Sequence, residues 1–169
     1  MQAGVFYYQI KRIMGNCTPL LVDCGGLCAN ACCQGDGDTG MYLFPKEVEN
    51  VKQDPLLTVV DSAFFYSSES KTCQTKMALC NGRCNRPTRP LSCMIFPFFP
   101  YLNLYGELDV RLDVRGRGIC PLIGSNDRTL LDETFISRVE YISKILVQNQ
   151  EVFAFLFEIS RLMDQEYVR

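Results

Sequence analysis

The chain has no histidine among its 169 residues. That absence excludes Ser-His-Asp and Cys-His catalysis, histidine-ligated zinc enzymes and imidazole pH switches together. An excess of positive charge is missing as well. Seventeen Lys and Arg against nineteen Asp and Glu give a net charge of -2. No electropositive field of the kind that binds a polyanion is expected, and so no nucleic acid partner. No apolar run approaches the roughly 20 residues that cross a bilayer, so no membrane partner is expected either. The first residues, Met1 to Phe6, lack the basic start and continuous apolar stretch of a secretory signal, and Lys11 and Arg12 interrupt the one candidate. The cytoplasm is the expected compartment. Internal repeats and low-complexity segments are also absent.

What the chain has in excess is sulfur. Ten cysteines make up about 6% of it, above ordinary usage but below the roughly 8–10% of a small disulfide scaffold. With 47% hydrophobic and 21% charged residues, the chain has enough apolar material for one domain with a real core. In a reducing cytosol, many cysteines point to metal binding or redox chemistry before structural disulfides. They are unevenly spread. All ten lie between Cys17 and Cys120, and the 49 residues after Cys120 contain none.

The sulfur-free stretch is the most regular. Phe135, Val139, Ile142 and Leu146 recur on one helical face, with Asp132 placed to cap its start. From Val152 to Met163 a second helix, apolar on every side and therefore largely buried, is expected. In the sulfur-rich part, Met41 to Phe44 reads as a short strand, and Pro45 suits the start of a helix over 46–51. Leu56 to Val60 is β-branched and bounded by Pro55 and Asp61, which predicts another strand. Leu108, Val110, Leu112 and Val114 alternate with Asp109, Arg111, Asp113 and Arg115, the period of a strand with one wet face. Tyr105 and Gly106 close a hairpin between that strand and 101–104. The expected fold class is α+β. An irregular, metal-centred body with short strands spans residues 1–124, and a two-helix element, 125–169, packs on the same domain.

The chemistry is expected at the cysteines. Cys24, Cys28, Cys32 and Cys33 fall within ten residues, with glycines that permit tight turns. Cys80, Cys84 and Cys93 follow, and Cys120 precedes Pro121. Such spacings let two thiolates reach one ion at about 2.3 Å while a second element completes a tetrahedron. The eight thiols allow two four-sulfur sites, one cluster with spare cysteines, or a shared binuclear centre. Cys17 and Cys73 are left over. All-sulfur ligation suits zinc and iron–sulfur clusters alike. A thiol–disulfide role and unrelated buried cysteines are the other readings. Vicinal Cys32 and Cys33 do not favour simple stapling, because neighbours bridge only with strain, and no Cys-x-x-Cys on a strand-to-helix turn is present. Arg83, Arg86, Arg89, Arg111, Arg115 and Arg117 lie close to the cysteines in sequence. Arg89, fixed by Pro90, and Arg117 are candidates to offset thiolate charge and donate hydrogen bonds to sulfur. A solvated basic face is the alternative.

The string from Cys80 to Pro97, with Arg89-Pro90 before Cys93 and Phe96-Pro97 after it, resembles the RP-x-x-C-x-x-FP signature of the zinc- or iron-chelating proteins named for their CxxCxxCC motif. Cys24 to Cys33 and Cys120-Pro121 are similar to that family's other cysteine positions. Both gaps in Cys24-x3-Cys28-x3-Cys32-Cys33 hold three residues where the family name has two. The resemblance covers residues 17 to 123. It implies a chelated metal, and for some members a flagellin lysine methylase activity with an iron–sulfur centre.

A methyl donor such as S-adenosylmethionine would call for a glycine-rich loop after a strand, and none is visible. Gly35 to Gly40 is the one glycine-rich stretch. Its Asp36 and Asp38 are a fragment of a calcium loop without the closing Glu, so a surface turn is the expectation. Asp109 and Asp113 share a strand face by alternation alone, and Phe96 to Pro100 reads as core or a stiff apolar ledge. Catalytic residues stay unassigned. The expected function is metal binding through thiolates, structural or electron-transferring. A cluster-dependent protein-modifying enzyme and a thiol–disulfide protein are the alternatives, with a protein partner conceivable beside the metal ion.

Overall fold

The computed structural model describes residues 3–34, 40–82, 84–125 and 130–167. The chain opens with helix α1, Ala3–Met14, in which Tyr7, Ile10 and Met14 bury one face. The apolar spacing i, i+3, i+7 is that of an amphipathic helix, in a stretch whose sequence otherwise stands out only for lacking the features of a secretory signal. The Tyr7 hydroxyl donates to the Pro45 carbonyl at 2.6 Å. A one-turn helix α2, Gly25–Cys28, and a 3-10 turn, Ala31–Cys33, carry the first cysteines. Gly35 to Thr39 lies outside the described residues, and with it the expected glycine-rich turn.

Strand β1, Gly40–Tyr42, then the short helix α3, Val48–Val51, realise the expected strand-then-helix, each shortened. Strand β2, Leu57–Ser68, extends well past the expected Val60 and pairs with β3, Lys71–Cys80, in a long antiparallel hairpin. The sheet order is β1-β3-β2, so the central strand is one that sequence reading did not find. Only Thr75 and Ala78 of β3 are buried, so alternation is faint and the strand rests on threonines and on its two neighbours. Its register sets Cys80 against Leu57 at one end and Lys71 against Ser68 at the other.

Helix α4, Leu91–Ile95, leads into β4, Phe98–Leu102, which pairs with β5, Leu108–Leu112. The apolar ledge is thus core: Phe98, Phe99 and Pro100 are all buried. The expected strand over 108–115 ends early. Asp113 accepts from the backbone N–H of Arg115 and starts a 3-10 turn, Val114–Gly116, before α5, Pro121–Ser125. Helix α6, Glu133–Leu146, follows the expected periodicity, with Asp132 accepting from the Thr134 N–H at 2.7 Å. Helix α7, Gln150–Tyr167, buries Phe155, Leu156, Ile159 and Met163.

One large core joins α1, α4, β4, β5, α6 and α7 around Phe44, Phe98, Phe99, Phe135 and Phe155. A smaller one, Leu43, Val51, Leu57 and Ala78, sits under the open end of the β2–β3 hairpin, with Cys80 and Cys84 packed against it. With helices at 43% and antiparallel strands at 24%, the fold is α+β. No helix among the described residues is long and apolar enough to cross a membrane.

Candidate metal centre

The segment from Cys24 to Cys33 is bent twice. Ala29 and Asn30 both hold left-handed backbone, with φ of 51° and 59°, a conformation Asn tolerates and Ala resists. Gly25 makes the reversal possible, because a Cβ there would lie 2.0 Å from the Asn30 Oδ1. The result is a compact loop in which Cys24 precedes α2, Cys28 ends it, and Cys32 and Cys33 close the following 3-10 turn. The Cys32 and Cys33 sulfurs stand 4.0 Å apart.

Cys120 reaches this loop from the other side of the sequence. Gly116 is buried so tightly that a Cβ would lie 2.6 Å from the Ile123 Cδ1 and 2.7 Å from the Phe96 ring. Its carbonyl accepts from the Cys120 N–H at 3.0 Å, which holds Cys120 at the start of α5. Cys24, Cys28, Cys32 and Cys120 line a narrow cleft of about 20 Å³ with Pro19, Leu27, Phe96, Pro97, Pro121 and Leu122. That volume accommodates one water-sized body.

The other four predicted thiols collect at the open end of the β2–β3 hairpin. Cys80 ends β3, Cys84 lies in the loop that follows, and Cys93 is in α4. The Arg89 Nε donates to the Cys84 Sγ at 3.3 Å. The loop is tied down by Asp54, whose buried carboxylate accepts from the Asn85 N–H at 2.7 Å, the Thr88 hydroxyl at 2.6 Å and the Leu56 N–H at 3.0 Å. Burial alone would raise the Asp54 carboxyl, but these donors outweigh it and hold it below the usual carboxylate range. Helix α4 is fixed in a similar way. Buried Glu47 accepts from the Leu91 N–H at 2.6 Å and the Phe44 N–H at 3.2 Å, and the Lys11 ammonium lies 3.0 Å from its Oε1 without hydrogen-bond alignment.

The thiols sense one another. Burial pushes the Cys24 thiol up, and the charges of Asp23, Cys120 and Cys28 add to the rise. Burial raises Cys93 strongly, reinforced by Cys84 and Cys33 and opposed by Arg89. Burial also raises Cys80, with Cys33 and Cys84 adding to it, and raises Cys120. Cys33 shares its proton with Cys32, so Cys33 is held up and Cys32 is brought down. Burial opposes the charge on Arg89, but the hydrogen bond to Cys84 and the fields of Cys84, Cys33 and Cys93 keep it charged.

The eight predicted ligands thus fall into a cleft group, Cys24, Cys28, Cys32 and Cys120, and a second group, Cys33, Cys80, Cys84 and Cys93, with Arg89 beside the latter. Arg117 caps the 3-10 turn with its side chain exposed. Arg86 donates to the Cys17 carbonyl at 3.1 Å, Arg111 lies over the Tyr101 ring, and Arg115 binds Asp113. Arg83 lies outside the described residues. Cys73 pairs with Tyr66 near the far turn of the hairpin, about 23 Å along β3 from Cys80 at ~3.3 Å per residue. Asp54 and Glu47 were missed by sequence reading. Asp54 before Pro55 is a turn signal that could have marked the first, while nothing in the pattern around Glu47 signals burial.

All ten cysteines are free thiols, nine half-buried and one exposed. Among the described residues no three of Cys, Asp or Glu stand as a formed ligand set, so holding an ion requires the thiols to draw inward. The donor chemistry itself fits a thiophilic metal: sulfur alone, no imidazole, and a guanidinium already bonded to one thiol.

No family model, curated protein or solved structure matches the chain.

Proposed function

We propose that the protein binds metal through cysteine thiolates, holding zinc or an iron–sulfur cluster in a structural or electron-transferring role. The observation that carries this reading is convergence. Four thiols, Cys24, Cys28, Cys32 and Cys120, line one cleft, and Cys33, Cys80, Cys84 and Cys93 lie within one another's fields, on elements locked by Gly25, Gly116, Asp54 and Glu47. Cysteines that merely fill a core are among the most buried of residues. Here none is fully buried. The resemblance of the Arg89 to Pro97 string to the CxxCxxCC chelating proteins agrees with this, as does a reducing compartment such as the cytoplasm.

When bound, the metal would supply cross-links between the 24–33 loop, the 80–93 segment and Cys120. These segments contain little regular structure, so site assembly and folding are linked. Arg89 would offset thiolate charge and donate to sulfur. The cleft at Cys24 and Cys120 is far below the ~300 Å³ of a typical small-molecule site, which favours an ion there over an organic cofactor or methyl donor.

Thiol titration tests the proposal. In native, anaerobically purified protein, Cys17 and Cys73 should react with a thiol reagent and the other eight of the ten cysteines should be protected. All ten should react after chelation and denaturation. Ten reactive thiols in the native, unchelated protein would contradict metal ligation. Fewer than ten in the denatured, metal-free and unreduced protein would favour a disulfide instead.

A further inference from the structure

We propose that the eight thiols form two separate four-cysteine centres, divided at the Cys32–Cys33 bond, so that each chain holds two metal equivalents. This deepens the metal-binding reading and rests on it. The first centre is Cys24, Cys28, Cys32 and Cys120; the second is Cys33, Cys80, Cys84 and Cys93.

The division follows from what each thiol faces. Four cysteines, and only those four among the described ones, line the narrow cleft between the 24–33 loop and α5, which has room for one ion-sized guest. The remaining four lie off that cleft, on the end of β3, the loop after it, α4 and the last residue of the 3-10 turn. Neighbours on a 3-10 turn project about 120° apart, so Cys32 and Cys33 suit different surroundings. Cys32 lines the cleft, while Cys33 is within reach of Cys80 and of the Arg89 charge. Away from the Cys32–Cys33 bond the electrostatic neighbours divide in the same way: Cys24 is influenced by Cys28 and Cys120, and Cys80 and Cys93 by Cys33 and Cys84. Two influences cross the division: the contact between vicinal Cys32 and Cys33, the largest on each of them, and the field of Cys93, which ranks last among those on Cys32. With the two vicinal sulfurs 4.0 Å apart, the centres are adjacent.

The partition also explains the sequence pattern. A single ion uses four thiolates at most in a closed site, which would leave four of the eight gathered cysteines without a role. Two centres use all eight, and each draws ligands from at least two segments distant in the chain. Each ion bound displaces the protons of its four thiols.

Cobalt(II) titration of the reduced, metal-free full chain tests the partition, followed by thiolate-to-cobalt absorption under anaerobic conditions. The wild-type chain should saturate at two equivalents. Cys28→Ser with Cys120→Ser should saturate at one, as should Cys84→Ser with Cys93→Ser. Circular dichroism on each variant establishes folding, and the single variants Cys24→Ser and Cys80→Ser replace any pair that fails to fold. Saturation at one equivalent in the wild type, or loss of all cobalt from either variant, overturns the partition while leaving metal binding intact. No thiolate–cobalt absorption in the wild type overturns both.

Discussion

The Arg89 Nε donates to the Cys84 Sγ at 3.3 Å, and Pro90 immediately begins the turn into α4 that carries Cys93. One residue thus meets a thiol of the loop while its neighbour sets the next. Arg89→Ala should weaken metal retention by about 10- to 100-fold, the usual effect of removing a hydrogen bond to a ligand atom. Arg89→Lys should recover part of it, since the charge returns without the planar fork. Competition with a chromogenic chelator measures both; equal affinity in wild type and Arg89→Ala removes Arg89 from the site.

Asp54 holds the loop between Cys84 and Arg89 by the Asn85 N–H and the Thr88 hydroxyl, and accepts from the Leu56 N–H beside it. Asp54→Ala should destabilise the fold by about 2–3 kcal/mol, the scale of charged hydrogen bonds lost from a buried site. It should also lower metal affinity. The pH dependence has a definite sign. A carboxyl held below its ordinary value of 3.8 contributes stability that is fully present above that value and is lost as pH falls from it through the lower folded value. The gap between wild type and Asp54→Ala in acid melts should therefore begin to close only as pH drops below 3.8. Parallel acid limbs would count against the loop anchor.

The buried pair of Lys11 and Glu47 lies one step behind Cys93, joining α1 to the first turn of α4. Lys11→Met leaves the Glu47 carboxylate without its countercharge and should cost about 3–5 kcal/mol, as broken buried pairs do. The double variant Lys11→Met, Glu47→Gln should recover much of that loss. Chemical denaturation of the wild type, of Lys11→Met, of Glu47→Gln and of the double variant gives the comparison, and additivity of the single changes would show the two groups to be independent.

Thiol protonation sets a further expectation. Burial, with neighbouring thiolate charge, raises Cys24, Cys80 and Cys93 above the ordinary 9.0. These groups keep their protons at neutral pH, so a metal must displace them and affinity should rise with pH between about 6 and 9. The metal-free fold should behave oppositely. A raised thiol contributes stability below 9.0 that is lost as pH climbs through its folded value, so metal-free melting temperatures should fall above pH 9.0. Affinity that is flat with pH would mean that the ligands are already ionised or are not thiols.

The carboxyl-terminal helices were legible because Phe135 to Leu146 repeats with a single period and Asp132 supplies an unambiguous cap. The candidate ligands stood out for a different reason: cysteine is chemically distinctive, so spacing alone singled out the eight thiols proposed to hold metal. What the pattern hid is long-range. Strand β3 has two buried side chains to announce it, and its place at the centre of the sheet comes from pairing with β1 and β2. Asp54 and Glu47 gain their roles from backbone donors 31 to 44 residues away, which no local window contains. Arginine roles were hidden for the same reason: Arg89 donates to a thiol, while Arg111 lies over an aromatic ring and Arg115 binds an aspartate.

Metal content with an absorption spectrum on anaerobically purified protein tests the central claim most directly. The account predicts stoichiometric zinc in a colourless sample, or iron and sulfide in a brown one that absorbs at about 400 nm. In either case the metal should be lost when Cys84 and Cys120 are both replaced by serine. Wild-type protein that is folded, fully reduced and free of zinc and iron, and that takes up neither when they are supplied with sulfide, would contradict it.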